Sequence, residues 1–149
     1  MIRLQNDPLS RILHQSLYDR MLSFCKEYSP ELPGEPIVTA WLNRLYLGDS
    51  NLHILVTLDD KYNITEHIVI DVQDMYWSRV VVCHQAYWKK PNLEAYNEGI
   101  EYIDKLVQHA NAYCSLFFVA KNSKVLEKKY GYRTVRSVMI KLSGDVDNT

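Results

Sequence analysis

Cysteine is scarce in this sequence, and the three cysteines present are far apart. Cys25, Cys83 and Cys114 show neither the paired spacing of a zinc site nor the even count of a disulfide framework. We therefore expect reduced thiols, most of them buried, as is usual in cytoplasmic proteins.

Long apolar runs and a strong net charge are also missing. The longest apolar stretches, 80–83 and 116–120, are far shorter than the roughly 20 residues that cross a bilayer. The N-terminal MIRLQNDPLS has no apolar signal segment, and the formal net charge is −1. Such a balance gives no general attraction to nucleic acid or to an anionic membrane. The length predicts a single domain over residues 1–149, and we expect it in the cytoplasm, with no membrane or nucleic-acid partner.

The N-terminal third is predicted to be helical. Asp7 and Pro8 are a typical helix start, and apolar residues then recur at steps of three and four positions. The first helix should cover residues 8–28 and end before the proline-rich loop 29–36. A second helix should follow this loop and end at Gly48, since glycine readily adopts the left-handed conformation that closes a helix.

The hydrophobic period then changes from helical to alternating, which indicates strands. The elements predicted after Gly48 are three antiparallel strands at 52–58, 68–72 and 77–83, a loop at 84–92, a helix from Asn92 to about residue 110, a strand at 115–120, a short helix, and a last strand at 134–142. The predicted order is therefore α-α-β-β-β-α-β-α-β.

The segment AKNSKVLEKKYGYR, residues 120–133, contains residues that mark the start and the end of a short helix. An asparagine follows an apolar strand, a short helix comes next, and Gly131-Tyr132 ends it. Glycine there allows the positive φ that closes the helix, after which Tyr132 can return to the core. This pattern and the element order resemble the Gcn5-related N-acetyltransferase (GNAT) family over residues 36–142, and also its degenerate members among small phage proteins. The resemblance implies an α/β (α+β) GNAT-like fold, with a mixed, mostly antiparallel sheet flanked by helices.

The resemblance also implies acetyl-CoA, which the family binds with Arg/Gln-x-x-Gly-x-Gly/Ala at the start of the long helix. Two alignments place this motif, one on Glu94, Asn97 and Gly99 and the other on Gln85, Trp88 and Lys90. In either alignment only one of the three key positions is kept, so the phosphate-binding motif is eroded, and lysine side chains could replace it as point charges. The residues implied to bind the cofactor are Lys89, Lys90, Asn97, Gly99 and Asn122.

The family's reaction needs a base that takes a proton from the acceptor amine. His84 stands at the end of the third predicted strand, near where the acceptor would lie, and Glu66 stands just before the neighbouring strand; both are candidate catalytic residues. Many members place a tyrosine four residues before the glycine of their Gly-Phe pair, as the acid for the leaving thiolate. Here that position is Glu127. A splayed strand pair would hold the thioester, with a backbone N–H polarising its carbonyl.

Other polar residues have simpler interpretations. Cys83 and His84 are adjacent, but neighbours on a strand point to opposite faces, so they do not form a simple nucleophile–base pair. His53, His67 and Asp71 fit a polar sheet surface better than a metal site, because neither their spacing nor their number identifies a metal. We therefore predict no metal.

Two features suggest a protein partner. Residues 121–141 contain seven basic side chains and one acidic side chain, which a solvated basic face explains most simply. Tyr87 and Trp88 are of the residue types favoured as interface anchors. The first function hypothesis is an N-acetyltransferase acting on a small-molecule or protein amine. The alternative is a catalytically inactive protein of the same fold that acts by binding, for example in a phage virion or on a host protein.

Overall fold

The computed structural model describes residues 1–75, 78–89, 93–118 and 123–133. Its elements are β1 (Ile2–Arg3), α1 (Pro8–Ile12), α2 (His14–Tyr28), α3 (Gly34–Tyr46), β2 (Leu52–Leu58), β3 (Ile64–Met75), β4 (Ser78–Tyr87), α4 (Leu93–His109), β5 (Cys114–Phe117) and α5 (Ser123–Tyr130). The predicted α+β class is confirmed. The predicted last strand, 134–142, lies outside the described residues.

The five described strands form one mixed sheet in the order β1-β2-β3-β4-β5. Neighbours from β1 to β4 run antiparallel, whereas β5 runs parallel to β4. The meander predicted from the alternating pattern is therefore confirmed. The strand β1 was not predicted, because two residues are too few to show an alternating period.

Helices cover both faces of this sheet. On one face, α2 and α3 pack on alternate residues of β2 such as Ile54 and Val56. On the other face, α4 and α5 pack on Leu55, Ile68 and Ile70. A sheet sandwiched in this way has no solvated face, and its strands are apolar on both sides.

The prediction that His53, His67 and Asp71 form a polar sheet surface is wrong. Their exposed fractions are 6%, 2% and 4%, because helices lie over both faces. His67 and Asp71 share one face, which α2 and α3 cover. His53 lies on the opposite face, where its Nδ1 is 2.7 Å from the Tyr102 hydroxyl of α4.

Several predicted boundaries also change. The single helix 8–28 is divided at Leu13, whose backbone has φ −84° and ψ −3°. Strand β3 extends to Met75 and β4 to Tyr87, so the loop predicted at 84–92 begins only after Tyr87. An irregularity in β4, described below, breaks the alternation that would have revealed this extension. Gly48 does end the second predicted helix, with φ +73°.

Candidate functional site

Strands β4 and β5 pair along only part of their length. The register runs from Val80 with Cys114 to Cys83 with Phe117, and the Phe118 N–H donates to the Cys83 carbonyl at 3.3 Å. Strand β4 continues to Tyr87, but β5 ends at Phe117. Within the described ranges, the last four residues of β4 have no partner on the β5 side. Backbone N–H and C=O groups in such a position need hydrogen-bond partners.

A β-bulge lies where this pairing ends. In the β3–β4 register Ile70 opposes Cys83 and Val69 opposes Gln85, which leaves His84 as an extra residue. A bulge bends its strand and re-aims the side chains around it. His84 and Gln85 consequently both lie on the side of α2 and α3, where the Gln85 amide donates to the Met21 carbonyl at 3.0 Å.

The His84 imidazole lies beside a buried carboxylate. Its Nε2 is 3.7 Å from Asp71 Oδ2, and the His84 side chain is 18% exposed. The rings of Trp41 and Phe118 lie on either side, with centroids 5.3 and 5.8 Å from that of His84. Asp71 itself accepts two hydrogen bonds from Arg44, at 2.8 and 2.9 Å. A histidine thus sits at the start of the open strand edge, between aromatic rings and next to a carboxylate.

The Asp71 carboxyl group is ionised. Burial would raise the pKa of Asp71, but hydrogen bonds from Arg44, His84 and Gln73 and the charge of Arg44 together outweigh burial and hold that pKa well below its ordinary value. Arg44 also donates through Nε to Asp49 at 2.7 Å, so one guanidinium joins two carboxylates. Asp71 therefore presents a negative charge to the His84 ring throughout the physiological pH range.

Cys83 does not take part in this arrangement. It is 1% exposed and packs with Ile70 and Tyr96 on the face covered by α4. Burial raises the pKa of the Cys83 thiol far above its ordinary value, so almost no thiolate forms. The prediction that Cys83 and His84 point to opposite faces is confirmed, and a nucleophile–base pair between them is excluded.

The two candidate bases are not brought together. Glu66 pairs with Thr57 on the face covered by α4, whereas His84 lies on the other face. Glu66 is 1% exposed, and its carboxylate accepts the backbone N–H of Lys89 at 3.3 Å. This bond attaches the segment after β4 to β3. A catalytic role for Glu66 stays a prediction.

Gly99 lies well inside α4, beyond the first turn whose N–H groups are free. A Cβ atom at this position would be 2.5 Å from Ile68 Cδ1 and 3.1 Å from Trp88 Cζ2. The missing side chain therefore lets α4 approach the sheet. Trp88 is held in the same layer, since its Nε1 donates to the Ala95 carbonyl at 3.2 Å. A cofactor contact at Gly99 and a partner contact at Trp88 both stay predictions.

The remaining predicted cofactor residues fall into two groups. Lys89 and Asn97 are exposed, and Asn97 accepts a hydrogen bond from the Tyr130 hydroxyl at the end of α5. Lys90 and Asn122 lie outside the described residues.

The end of α5 follows the predicted pattern. Gly131 has φ +75°, and Tyr132 packs against the core, where its hydroxyl is 2.7 Å from Ser115 Oγ. The described basic residues of segment 121–141 are Lys124, Lys128, Lys129 and Arg133, all exposed. The glycine–tyrosine prediction is confirmed, and these four basic side chains are solvated.

Comparison with solved structures places this architecture among acetyltransferases. A predicted acetyltransferase from Clostridium acetobutylicum, solved with acetyl-CoA, superimposes with a TM-score of 0.68 at 14% identity, covering 95% of this chain and 94% of that one. An aminoglycoside antibiotic 6'-N-acetyltransferase from Acinetobacter baumannii gives 0.63 at 10% identity, covering 95% of each chain. The chain has the GNAT fold. Identities this low establish the fold alone, and no protein-family model and no curated sequence matches the chain.

The GNAT fold also brings together residues that the sequence did not connect. His84 was a candidate, but Arg44 and Trp41 of α3 were not linked to it. Their contacts depend on how α3 crosses the sheet and on the bulge at His84, and neither leaves a local pattern. The only available signal was Asp71, a carboxylate inside an otherwise apolar strand.

The described part of this GNAT-fold chain has neither a metal-binding cluster nor a helix that could span a membrane. It contains no group of three or more histidine, cysteine, aspartate or glutamate side chains that could hold a metal ion. None of its helices is long and apolar enough to cross a membrane.

Proposed function

We propose that this chain is an N-acetyltransferase that moves the acetyl group of acetyl-CoA to an amine. One observation carries the proposal: the pairing of β4 with the described part of β5 ends beside His84. Proteins of the same fold are acetyltransferases, and one of them was solved with acetyl-CoA. The acceptor is a small-molecule or protein amine.

The open edge of β4 fits the chain-like part of acetyl-CoA. Residues 84–87 offer backbone donors and acceptors on the β5 side, and the pantetheine arm carries amide groups that can pair with them. At the start of α4, the exposed Lys89 adds positive charge suited to phosphate, whereas Glu94 in the first turn opposes it. We propose Lys89, Lys90, Asn97, Gly99 and Asn122 as the residues nearest the nucleotide half.

His84 is proposed as the base. When bound, acetyl-CoA supplies the acyl carbon that the amine attacks; the new C–N bond replaces the C–S bond, and the thiol leaves. The amine loses a proton in this reaction, and His84 accepts it directly or through water. Asp71 then stabilises the resulting imidazolium, since its own charge persists at all physiological pH values.

The proposal is tested by binding and turnover together. Acetyl-CoA binding would be followed by calorimetry, and thiol release would be followed with a panel of amines. We expect micromolar binding, and we expect His84→Gln to lower kcat by about 10²–10⁴-fold while leaving the Kd for acetyl-CoA within a few-fold. His109→Gln, at an exposed histidine of α4, is the matched control and should leave both unchanged.

Two results would contradict the proposal in different ways. Absence of binding at millimolar acetyl-CoA would exclude the proposal that the chain is an acetyltransferase. It would favour a non-catalytic binding protein that uses Tyr87, Trp88 and the basic segment 121–141. Turnover that His84→Gln leaves intact would keep the activity but transfer the role of base to another residue, with Glu66 as the next candidate.

A further inference from the structure

A second concave site lies on the sheet face that carries α2. Its volume is about 290 Å³, and its lining includes Asp19, Arg20, Phe24, Glu27, His67 and Tyr87. This volume is close to the lower limit of small-molecule pockets and suits a ligand of amino-acid size. Two aromatic rings form its walls, and charged groups of both signs line it.

Arg20 is a half-buried cation with no ion-pair partner among the described residues. Its guanidinium lies over the Tyr87 ring, 4.8 Å from the centroid, and one Nη donates to the Thr65 carbonyl at 2.9 Å. Its Nε is buried and has no hydrogen-bond partner among the described residues. Burial lowers the pKa of Arg20, while Tyr87 and the Glu66 carboxylate act in the opposite direction. A carboxylate ligand would give the guanidinium a direct ion-pair partner.

His67 provides a hydrogen-bond acceptor in the wall of this cavity. The Gln85 amide nitrogen donates to the Met21 carbonyl at 3.0 Å, so its oxygen faces His67 Nε2 at 2.9 Å. Nε2 must therefore carry the proton, which leaves Nδ1 with a free lone pair. This Nδ1 is buried and has no hydrogen-bond partner among the described residues.

The mouth of the cavity is acidic. Asp19, Ser23 and Glu27 recur at four-residue steps along α2, so they lie on one face of that helix, and all three are exposed. Among the described residues, Asp19 accepts a hydrogen bond only from the Gln15 amide, at 2.9 Å, which leaves most of its acceptor capacity free there. The cavity thus offers negative charge at its mouth and an unpaired positive charge in its wall.

We propose that this cavity binds a small zwitterion, a molecule of amino-acid size that carries one ammonium and one carboxylate group. Arg20 pairs with the carboxylate, while Asp19 and Glu27 attract the ammonium. Phe24 and Tyr87 cover the apolar part of the ligand. Binding of this kind does not depend on acetyl transfer. Tyr87 lies three residues beyond His84, about 10 Å along the strand, and His84 is not among the residues that line the cavity.

The test compares ligands that differ by one charged group, without acetyl-CoA. The probes for calorimetry are 6-aminohexanoate, pentylamine, which lacks the carboxylate, hexanoate, which lacks the ammonium, and L-norleucine, whose two charges are adjacent. We expect at least one of the two zwitterions to bind ten-fold more tightly than both singly charged probes. Arg20→Gln should reduce that binding at least ten-fold and leave pentylamine unchanged.

Two further variants keep the test decisive. Arg11→Gln removes an exposed arginine on α1 and is the control for a change in overall charge; it should leave binding unchanged. Ser23→Trp places a large ring at the cavity mouth from an exposed position, so it tests the site even if Arg20→Gln fails to fold. Equal binding of zwitterionic and singly charged probes, no binding of any probe, or binding that Ser23→Trp leaves intact would overturn the proposal. Since acetyl-CoA is absent, these outcomes are separate from those of the acetyl-transfer test.

Discussion

Asp71 is the residue on which the proposed site most depends. Its side chain is 6% exposed and accepts two hydrogen bonds from Arg44, whereas the second carboxylate on that arginine, Asp49, is 32% exposed. Asp71→Asn leaves a guanidinium facing a neutral amide in a largely buried position. We expect it to lower the free energy of unfolding by about 2 kcal/mol, measured by urea denaturation.

The matched control for this prediction is Asp49→Asn, which removes the other carboxylate on the same guanidinium. Because both groups of that pair are about one-third exposed, solvent screens it, and the loss should stay under about 1 kcal/mol. If both variants lost the same free energy of unfolding, burial would not be what distinguishes the Arg44–Asp71 pair from the Arg44–Asp49 pair.

At the level of single residues, the sequence predicted part of the proposed site. It selected His84 from its place at the end of a strand and separated it from Cys83 by alternation. It did not reveal that Asp71 and Arg44 meet beside His84, because a strand residue and a helix residue 27 positions apart share no local pattern. It also assigned His67 to a solvated surface, since the helix covering it could not be placed.

Helix α4 and strand β3 fit together at one position. With Gly99 replaced by alanine, the new Cβ would lie 2.5 Å from Ile68 Cδ1, so one side must move. We expect Gly99→Ala to destabilise the protein by about 1 kcal/mol: overpacking costs about 1–3 kcal/mol, and the higher helix propensity of alanine offsets part of this.

A double-mutant cycle tests the cause of that loss. Ile68→Val deletes the Cδ1 methyl that blocks the new Cβ, so Gly99→Ala should be less destabilising in the Ile68→Val background. We expect a coupling of at least about 0.5 kcal/mol, the range seen for residues in contact. Strictly additive losses in urea unfolding would mean that Gly99 is required for some other reason, and they would strengthen its case as a cofactor-binding residue.

Helices and strands were easier to predict from the sequence than the irregular positions and the contacts between them. The hydrophobic period and the turn residues predicted four helices, the meander and the glycine ends at Gly48 and Gly131, because each depends on neighbouring residues. The bulge at His84 hid the second half of β4, since one extra residue reverses the alternation beyond it. Gly99 matched the glycine of a phosphate motif by alignment, yet the contact that the structure displays is with Ile68 and Trp88.

The molecule as a whole buries two neutral histidines, one on each face of the sheet. Burial lowers the pKa of His53 and that of His67 to about 4 each, against about 6.5 in an unfolded chain. Between these values the unfolded chain binds more protons than the folded protein. The free energy of unfolding should therefore be unaffected by these groups above pH 6.5 and should fall as pH drops toward 4. The limiting slope is about 1.4 kcal/mol per pH unit for each histidine.

Urea unfolding at pH 7.5, 6.5, 5.5 and 4.5 measures this slope. His53→Gln and His67→Gln each remove one titrating group, so each variant should show a shallower loss than the parent over this range, even if it is less stable at pH 7.5. His109→Gln, at an exposed site, should keep the parent slope. The carboxylate of Asp71 does not obscure the result, because its lowered pKa places its own loss of stabilisation below an aspartate's ordinary range. Stability that stays flat from pH 7.5 to 4.5 would mean that neither histidine is neutral and buried in solution. The sandwiching of the sheet between α2–α3 and α4–α5 would then need revision.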